Sequence, residues 1–342
     1  MSEAALGPLV IDVAGTTLST SDRALLRQPG VGGVILFTRN FESRAQLAEL
    51  TREIRRTRSN LPIMADYEGG RVQRFRDGFT VIPPMATLGR YYSDAPGEAV
   101  AAAADIGWLV ASELAETGID LPLAPVADLD YGQSSVIGHR AFSRDIDAVT
   151  ALTKAFTRGL QTGGSLATAK HFPGHGWVAA DSHAELPVDT RGVEALAADW
   201  QVFAALIDQG IASIMMAHVH YPEIDARPAS LSPVWIQDIL RQRLAFDGCV
   251  FCDDLSMGGA VAFGDVATRV HRALTAGCDF LPVCNDREAA RAALAAVDDD
   301  LAIGRTRRQQ FAERLERSRA GRVADDTRAE RARALAHRLA TT

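Results

Sequence analysis

Cysteines and long apolar runs are scarce in this chain of 342 residues. The four cysteines are too few for a disulfide framework at this length. The most Ala-rich stretch, residues 99–115, carries Asp105 and Glu113, and so falls short of the roughly 18 uncharged apolar residues of a membrane-spanning helix. The segment Met1–Leu6 is acidic, whereas a secretory signal begins with basic residues. We therefore expect a soluble, cytoplasmic protein with no membrane segment.

Positive charge is not in excess either. The chain has 36 Lys and Arg against 43 Asp and Glu, a formal net charge of −7 at pH 7. This balance argues against a nucleic-acid backbone as the main partner. With 47% hydrophobic and 23% charged residues, the composition is that of a globular protein with a large core. The length suits either two average domains or one α/β barrel.

The cysteines contain one pattern, Cys249-x-x-Cys252, that could indicate a metal or redox centre. The pair falls within a predicted buried strand, residues 248–254, where an odd spacing sends the two side chains to opposite faces. No second pair of cysteines or histidines has zinc-finger spacing. We therefore expect buried, reduced cysteines, with no bound metal and no other cofactor.

Short runs rich in Val, Ile, Leu and Ala alternate with longer segments of helical periodicity. Near-continuous apolar runs are typical of strands buried on both faces of a parallel sheet. Ser43 and Gln46 have the spacing of a capping box, and Ser232-Pro233 has the pattern of an N-cap followed by the first helical residue. The predicted strands are Leu9–Val13, Gly33–Phe37, Pro62–Asp66, Leu121–Val126, Leu166–Lys170, Ala212–His218, Cys249–Asp254 and Asp279–Cys284.

Strands and helices in this alternation predict a single (β/α)₈ TIM-type barrel that spans residues 1–342 as one domain. A doubly wound sheet is the alternative, but no Gly-x-Gly-x-x-Gly follows the first strand. The Ala-, Arg- and Glu-rich end of the chain, from about Arg287, is predicted to form helices that close the barrel. We expect its charges to lie on a solvated helix face rather than to form a binding tail.

Polar residues stand at the ends of four predicted strands, namely Asp66, Lys170-His171, His218 and Asp253-Asp254. In a barrel of this class, the C-terminal strand ends and the loops after them build the active site. The segment from Lys170 to about Asp189 is also long for a connection between a strand and a helix, which is typical of functional loops. The sequence therefore predicts an active site at this end of the barrel.

Metal-dependent hydrolysis is one chemistry that histidines and aspartates in a barrel mouth could support. However, His218 and His220 follow the sixth predicted strand, whereas the His-x-His pair of such barrels usually follows the first. His171 and His175 are separated by Pro173-Gly174, which makes a shared helical face unfavourable. The spacing therefore does not favour a metal site.

Glycoside hydrolysis is the second chemistry, and it needs a nucleophile and an acid/base group on either side of an anomeric carbon. Asp253 and Asp254 are equal nucleophile candidates on chemistry alone. Asp181 lies two residues from His183 on the predicted loop, close enough for its carboxylate to orient the imidazole. A histidine in the acid/base role would depart from the usual pair of carboxylates.

Three motifs are specific enough to indicate a family. They are Asp66–Arg74 (DYEGGRVQR), Lys170–Gly176 (KHFPGHG) followed by Asp181–His183 (DSH), and Cys252–Met257 (CDDLSM). Together they resemble glycoside hydrolase family 3, and more narrowly its bacterial β-N-acetylglucosaminidase branch, the single-domain enzymes of peptidoglycan recycling. The resemblance extends from about Ile11 to Asn285.

The resemblance implies that Asp253 is the nucleophile, His183 the acid/base group and Asp181 its orienting partner. It further implies a set of residues that hold the N-acetylglucosamine unit. Arg71 and Arg74 are three residues apart, and which of them faces the sugar is left open by the sequence. Tyr67 and His139 differ from the residues common in the family, which affects only fine substrate contacts. The implied sugar-binding residues are Asp66, Arg74, Arg140, Lys170 and His171.

The implied function is hydrolysis of terminal, non-reducing β-N-acetylglucosamine from muropeptides such as N-acetylglucosaminyl-1,6-anhydro-N-acetylmuramyl peptides. The implied partner is this small-molecule substrate, and we expect a cytoplasmic monomer. Three alternatives remain open: another β-glycoside preference, a phosphorolytic variant in which phosphate replaces water, and a barrel that binds sugar without turnover.

Overall fold

The computed structural model describes residues 5–182, 185–297 and 301–341. Within these ranges, eight strands each precede a helical segment, and a small hairpin follows the third strand. All eight predicted strands are present, although most are shorter than the apolar runs suggested. The strands are β1 (Leu9–Ile11), β2 (Val31–Leu36), β3 (Ile63–Ala65), the hairpin strands β4 (Tyr67–Gly69) and β5 (Val72–Gln73), β6 (Leu121–Pro122), β7 (Thr168–Phe172), β8 (Ser213–Met216), β9 (Cys249–Phe251) and β10 (Leu281–Val283).

The strands form a TIM-barrel-like α/β arrangement, as the sequence predicts. Five lie parallel in the order β10-β1-β2-β3-β6, and three lie parallel in the order β7-β8-β9. Isolated parallel bridges, Val126 with Lys170 and Phe251 with Phe280, connect the end strands of the two sheets. The carboxyl ends of these eight strands therefore lie at the same end of the barrel-like arrangement.

Helices cover the outside of the strands and share one hydrophobic core with them. Those between the strands are α1 (Thr20–Leu26), α2 (Arg44–Thr57), α3 (Met85–Asp94), α4 (Pro96–Glu116), α5 (Ile146–Thr162), α6 (Ala197–Asp208), a π-helix (Val234–Arg243), α7 (Gly258–Val261) and α8 (Val266–Ala276). After β10 follow α9 (Arg287–Ala296), α10 (Arg305–Ala320) and α11 (Asp326–Ala340).

Local sequence explains where two of these helices begin. At α2 the Ser43 hydroxyl accepts from the Gln46 backbone N–H at 3.2 Å, as predicted. The Gln46 side chain, however, accepts from the Glu42 N–H at 2.8 Å, so the reciprocal half of the capping box is displaced by one residue. At the π-helix the Ser232 hydroxyl accepts from the Trp235 N–H at 3.2 Å, which satisfies an N–H that the helix leaves open.

The C-terminal helices correct one expectation about charge. Arg308 of α10 is fully buried, and its guanidinium donates to the carbonyls of Leu6, Ile303 and Leu301 at 2.6–2.9 Å. The guanidinium therefore has a structural role in the interior, because its N–H groups satisfy backbone carbonyls that have no access to water. The predicted solvated face accounts for only part of the charge in this segment.

Two of the expectations from the sequence concern membrane spans and cysteines. Among the helices of the described residues, none combines the length and apolarity needed to cross a membrane. The four cysteines are free and buried. The strand that carries Cys249 ends at Phe251, so Cys252 lies just beyond it rather than within it.

Candidate active site

A cavity of about 740 Å³ lies at the carboxyl ends of the strands. Polar side chains on or just after four of the strands line it: Asp66 follows β3, Lys170 and His171 belong to β7, Asp253 follows β9, and Asn285 follows β10. The strand was predicted to end at Lys170, but β7 ends at Phe172, so Lys170 and His171 lie inside it. Seven of the eight predicted site residues line the cavity, and His183 lies outside the described residues. The seven are Asp66, Arg74, Arg140, Lys170, His171, Asp181 and Asp253.

The β4–β5 hairpin brings two of the cavity's charged side chains into place. It turns at Gly69 and Gly70, whose φ angles of +95° and +56° are unfavourable for other residues. This turn places Glu68 on one strand of the hairpin and carries the chain back to Arg74. Glu68, which is not among the predicted site residues, lines the cavity and is buried.

Charged side chains form a continuous network along one wall of the cavity. Lys170 Nζ lies 2.9 Å from Asp66 Oδ1 and 2.6 Å from Glu68 Oε1, and so joins the two carboxylates. Arg74 donates to Asp66 Oδ2 at 2.8 Å. Arg140 donates to both oxygens of Glu68 at 2.7 and 2.9 Å, a bidentate geometry that fixes both side chains.

The network keeps its carboxylates ionised although they are buried. Burial alone would raise the pKa of Glu68, but Arg140 and Lys170 outweigh it and lower the pKa to about 2. Burial alone would also raise the pKa of Asp66, but Lys170 and Arg74 hold this pKa well below its ordinary value. Burial lowers the pKa of Lys170, but Asp66 and Glu68 more than compensate and raise it. The wall therefore presents fixed charges to a ligand over the whole physiological pH range.

Replacement of Lys170 should cost stability in a pH-dependent way. Lys170→Met leaves two buried carboxylates without their shared cation, and we expect a loss of about 3–5 kcal/mol in unfolding free energy at pH 7. The depressed pKa of Glu68 contributes stability above its unfolded value of 4.5, and this contribution is lost as the pH falls toward 2. The difference between variant and wild type should therefore narrow below pH 4 in urea unfolding experiments.

The matched control is Arg52→Met, which removes an exposed pair with Glu49 whose side chains are 59% and 46% accessible. It should change the unfolding free energy by less than about 0.5 kcal/mol. Equal stability of Lys170→Met and wild type at pH 7 would contradict the assigned role of the network.

Asp128 is a central residue that the sequence analysis missed. It follows β6, is fully buried, and accepts from His171 Nδ1 at 2.8 Å and from the His175 N–H at 2.8 Å. With Nδ1 donating to Asp128, His171 Nε2 is left as an acceptor toward Arg140 at 3.5 Å. Its signal was present, since Asp128 stands two residues after the predicted strand Leu121–Val126, and the recognised site residues also lie near the ends of predicted strands.

The two nucleophile candidates both line the cavity but differ in their contacts. Asp254 Oδ1 accepts from the backbone N–H groups of Ser256 and Cys284 at 2.9 and 3.2 Å, and so connects the segment after β9 to the end of β10. Burial raises the pKa of Asp254 to about 6. Asp253 Oδ1 accepts from the Asp254 N–H at 2.9 Å, and Asp253 lines the cavity on the side of β9. Asp254 thus acts as a structural connection.

The two arginines of the hairpin motif also differ. Arg74 pairs with Asp66, and its guanidinium lies over the Phe37 ring at 5.5 Å. Arg71 donates to the Val136 carbonyl and is more exposed. Both line the cavity, but only Arg74 belongs to the charged network. In the described part of the chain, no group of three or more His, Cys, Asp or Glu side chains has the arrangement of a metal site.

Sequence comparison identifies the family. Residues 7–318 match the model of the glycosyl hydrolase family 3 N-terminal domain. The chain belongs to glycosyl hydrolase family 3. This family 3 chain is 51% identical over 298 residues to the β-hexosaminidase of Methylobacillus flagellatus, covering 86% of this chain and 85% of that protein. It is 52% identical over 297 residues to the β-hexosaminidase of Thiobacillus denitrificans, covering 86% and 83%.

Solved structures of family 3 members share the fold. NagZ of Neisseria gonorrhoeae, solved in complex with N-trifluoroacetyl-D-glucosamine, aligns over the whole of both chains with a TM-score of 0.89 and 38% identity. A family 3 β-N-acetylglucosaminidase from Paenibacillus sp. aligns with a TM-score of 0.86 and 30% identity, covering 97% of this chain and 66% of that one. The predicted family and enzyme class, a glycoside hydrolase of the β-hexosaminidase type, are confirmed.

Proposed function

We propose that this family 3 enzyme removes terminal, non-reducing β-N-acetylglucosamine from muropeptides with retention of configuration. The observation that carries the proposal is the cavity itself. It brings Asp253 at the end of β9 and Asp181 of the long loop together with the network of Asp66, Lys170 and Arg74. A fixed carboxylate, a loop with proton-transfer residues and a wall of charged donors and acceptors are what retaining hydrolysis of a sugar requires.

Asp253 is the proposed nucleophile. Its place after a short buried strand fixes the carboxylate, and its neighbour Asp254 is occupied by backbone donors. In the first step, Asp253 attacks the anomeric carbon while the bond to the leaving oxygen breaks, which forms a covalent glycosyl-enzyme. In the second step, water displaces Asp253 and the β configuration is restored.

His183 is the proposed acid/base group, oriented by Asp181. The proposal rests on the Asp-Ser-His motif and on the position of Asp181 at the cavity. Its imidazolium form protonates the leaving oxygen in the first step, and the resulting neutral imidazole accepts a proton from water in the second. A neutral base also avoids a second negative charge near Asp253.

The charged wall is the proposed site of the amino sugar. Asp66 keeps 18% of its side chain accessible, and so can accept from sugar hydroxyl groups while Lys170 and Arg74 hold it in place. The amino-sugar ligand of the Neisseria gonorrhoeae relative supports the choice of N-acetylglucosamine. The cavity volume is within the range that accommodates ligands larger than one sugar ring, which leaves room for an aglycone.

The proposed setting is the cytoplasm, and the proposed state is a monomer. Four free, buried cysteines are compatible with a reducing compartment. Sedimentation velocity at micromolar concentration tests the oligomeric state, since a dimer would sediment distinctly faster.

Substrate preference gives the direct test of this function. Hydrolysis of p-nitrophenyl β-N-acetylglucosaminide should exceed that of the β-glucoside and the β-xyloside by about 100-fold or more in kcat/KM, because a site that hydrogen-bonds an acetamido group leaves its polar groups unpaired with sugars that lack one. Comparable rates on all three would overturn the N-acetyl preference. Sugar 1-phosphate formed in phosphate buffer would favour phosphorolysis, and absence of turnover on any glycoside would favour a binding protein.

A further inference from the structure

We propose that the hydrogen bond between His175 and Ser182 positions the loop that carries the acid/base residues, so that His175 and Ser182 are positioning residues for proton transfer. The bond joins His175 Nε2 to Ser182 Oγ at 3.0 Å, and both residues are 2% exposed. The inference rests on the proposed function, because it assumes that Asp181 and His183 handle the proton.

His175 is itself held firmly in place. Its backbone N–H donates to Asp128 Oδ1 at 2.8 Å, and Asp128 Oδ2 lies 2.8 Å from His171 Nδ1 on β7. Asp128 is fully buried, so these bonds are not exchanged for bonds to water. The backbone of His175 is therefore tied through Asp128 to the strand that carries Lys170 and His171.

Ser182 is held from two sides. Its hydroxyl meets His175, and its carbonyl accepts from the Gly259 N–H at 2.9 Å. A Cβ on residue 259 would lie 3.1 Å from that carbonyl oxygen, so glycine permits the close approach. The middle residue of the Asp-Ser-His motif is thus fixed to β7 through His175 and to the segment after β9 through Gly259.

Fixing Ser182 restricts the residues on either side of it. Adjacent Cα atoms are about 3.8 Å apart, so the anchor at Ser182 acts only one residue away along the chain from each proposed proton-transfer residue. Asp181 is exposed and lines the cavity. Proton transfer depends steeply on the placement of the donor, and an anchor next to the acid/base group therefore affects the chemical step more than binding.

The imidazole of His175 also keeps one charge state over the working pH range. Burial and the neighbouring His171 lower the pKa of His175 to about 4, against the opposing effects of Asp128 and Asp253. Within the described residues, His175 Nδ1 has no hydrogen-bond partner, so a second ring proton would be buried without an acceptor. The contact to Ser182 is therefore the same at pH 5 and pH 8.

The test compares variants that break the contact with variants that keep it. Ser182→Ala and His175→Asn remove it, since the asparagine amide reaches only the position of Nδ1. His175→Gln places an amide near the position of Nε2 and should retain activity within about threefold. Thr190→Ala, which removes an exposed hydroxyl from the same loop, is the matched control and should behave as wild type.

The readout separates positioning from stability. On a methyl β-N-acetylglucosaminide, whose leaving group needs protonation, kcat/KM should fall about tenfold for Ser182→Ala and His175→Asn. On the p-nitrophenyl glycoside, kcat/KM should change less than twofold, while kcat falls and is restored by azide, which needs no base. The double variant should lose no more than either single variant, because both remove one contact.

Several outcomes would overturn the inference. Equal losses on both substrates without an azide effect would leave the pair as a stability element only. Wild-type rates in both single variants, or additive losses in the double variant, would also reject it. The proposed function fails separately, if Asp253→Ala remains active or if His183→Ala shows no dependence on the leaving group.

Discussion

Asp253→Ala is expected to lower kcat by about 10⁴-fold or more and to leave the fold intact. The change removes the attacking group itself, and no geometry in the remaining site replaces a covalent step. Asp253 is half-buried just after β9, where its side chain borders the cavity. The thermal unfolding midpoint should therefore stay within a few degrees of the wild-type value.

Stereochemistry provides the positive control for this variant. The wild-type enzyme should release the β anomer, which proton NMR detects in the first minutes before mutarotation. With Asp253→Ala and a nitrophenyl substrate, azide should enter from the vacated face and give the α-glycosyl azide. An α product from the wild-type enzyme, or a β azide from the variant, would reject Asp253 as the nucleophile.

His183→Ala is expected to show a loss that depends on the leaving group. On an alkyl glycoside, turnover should fall about 10²–10⁴-fold, the range that a general acid contributes. On a nitrophenyl glycoside, the first step should be nearly spared because nitrophenolate departs without a proton. Removal of the glycosyl-enzyme should then limit turnover, and azide should accelerate it.

Asp181→Asn is the companion variant to His183→Ala. It keeps the size of the side chain but removes the charge that would hold the imidazole tautomer, so it should show the same leaving-group pattern with a smaller loss. On an alkyl glycoside, the basic limb of the pH profile of kcat/KM reports loss of the proton from the imidazolium, near pH ~6.5 for an ordinary imidazole. In Asp181→Asn this limb should shift to lower pH because the imidazolium loses a stabilising carboxylate. Equal losses of His183→Ala on both substrates would leave it a structural residue.

The alternation of apolar runs was enough to predict eight strands and a barrel-like fold, since a strand buried on both faces must be apolar throughout. It overestimated strand length. The prediction extended the strand from Cys249 to Asp254, whereas β9 ends at Phe251. Apolar residues just beyond a strand end also remain in the core when a loop packs over them. Periodicity therefore does not distinguish the residues of a strand from the buried residues that follow it.

The sequence by itself determined the family and the enzyme class, and it predicted seven of the residues that line the cavity, because motifs such as KHFPGHG and DSH hold reactive side chains at a characteristic spacing. Tertiary structure decided which of these residues touch. It joined Lys170 to both Asp66 and Glu68, and it tied His175 to Ser182. It also showed Asp128 as the residue that holds the two histidines. These pairs come from different strands and loops, and their contacts depend on how parallel strands are arranged around a common end. Spacing along the chain carries no record of that arrangement.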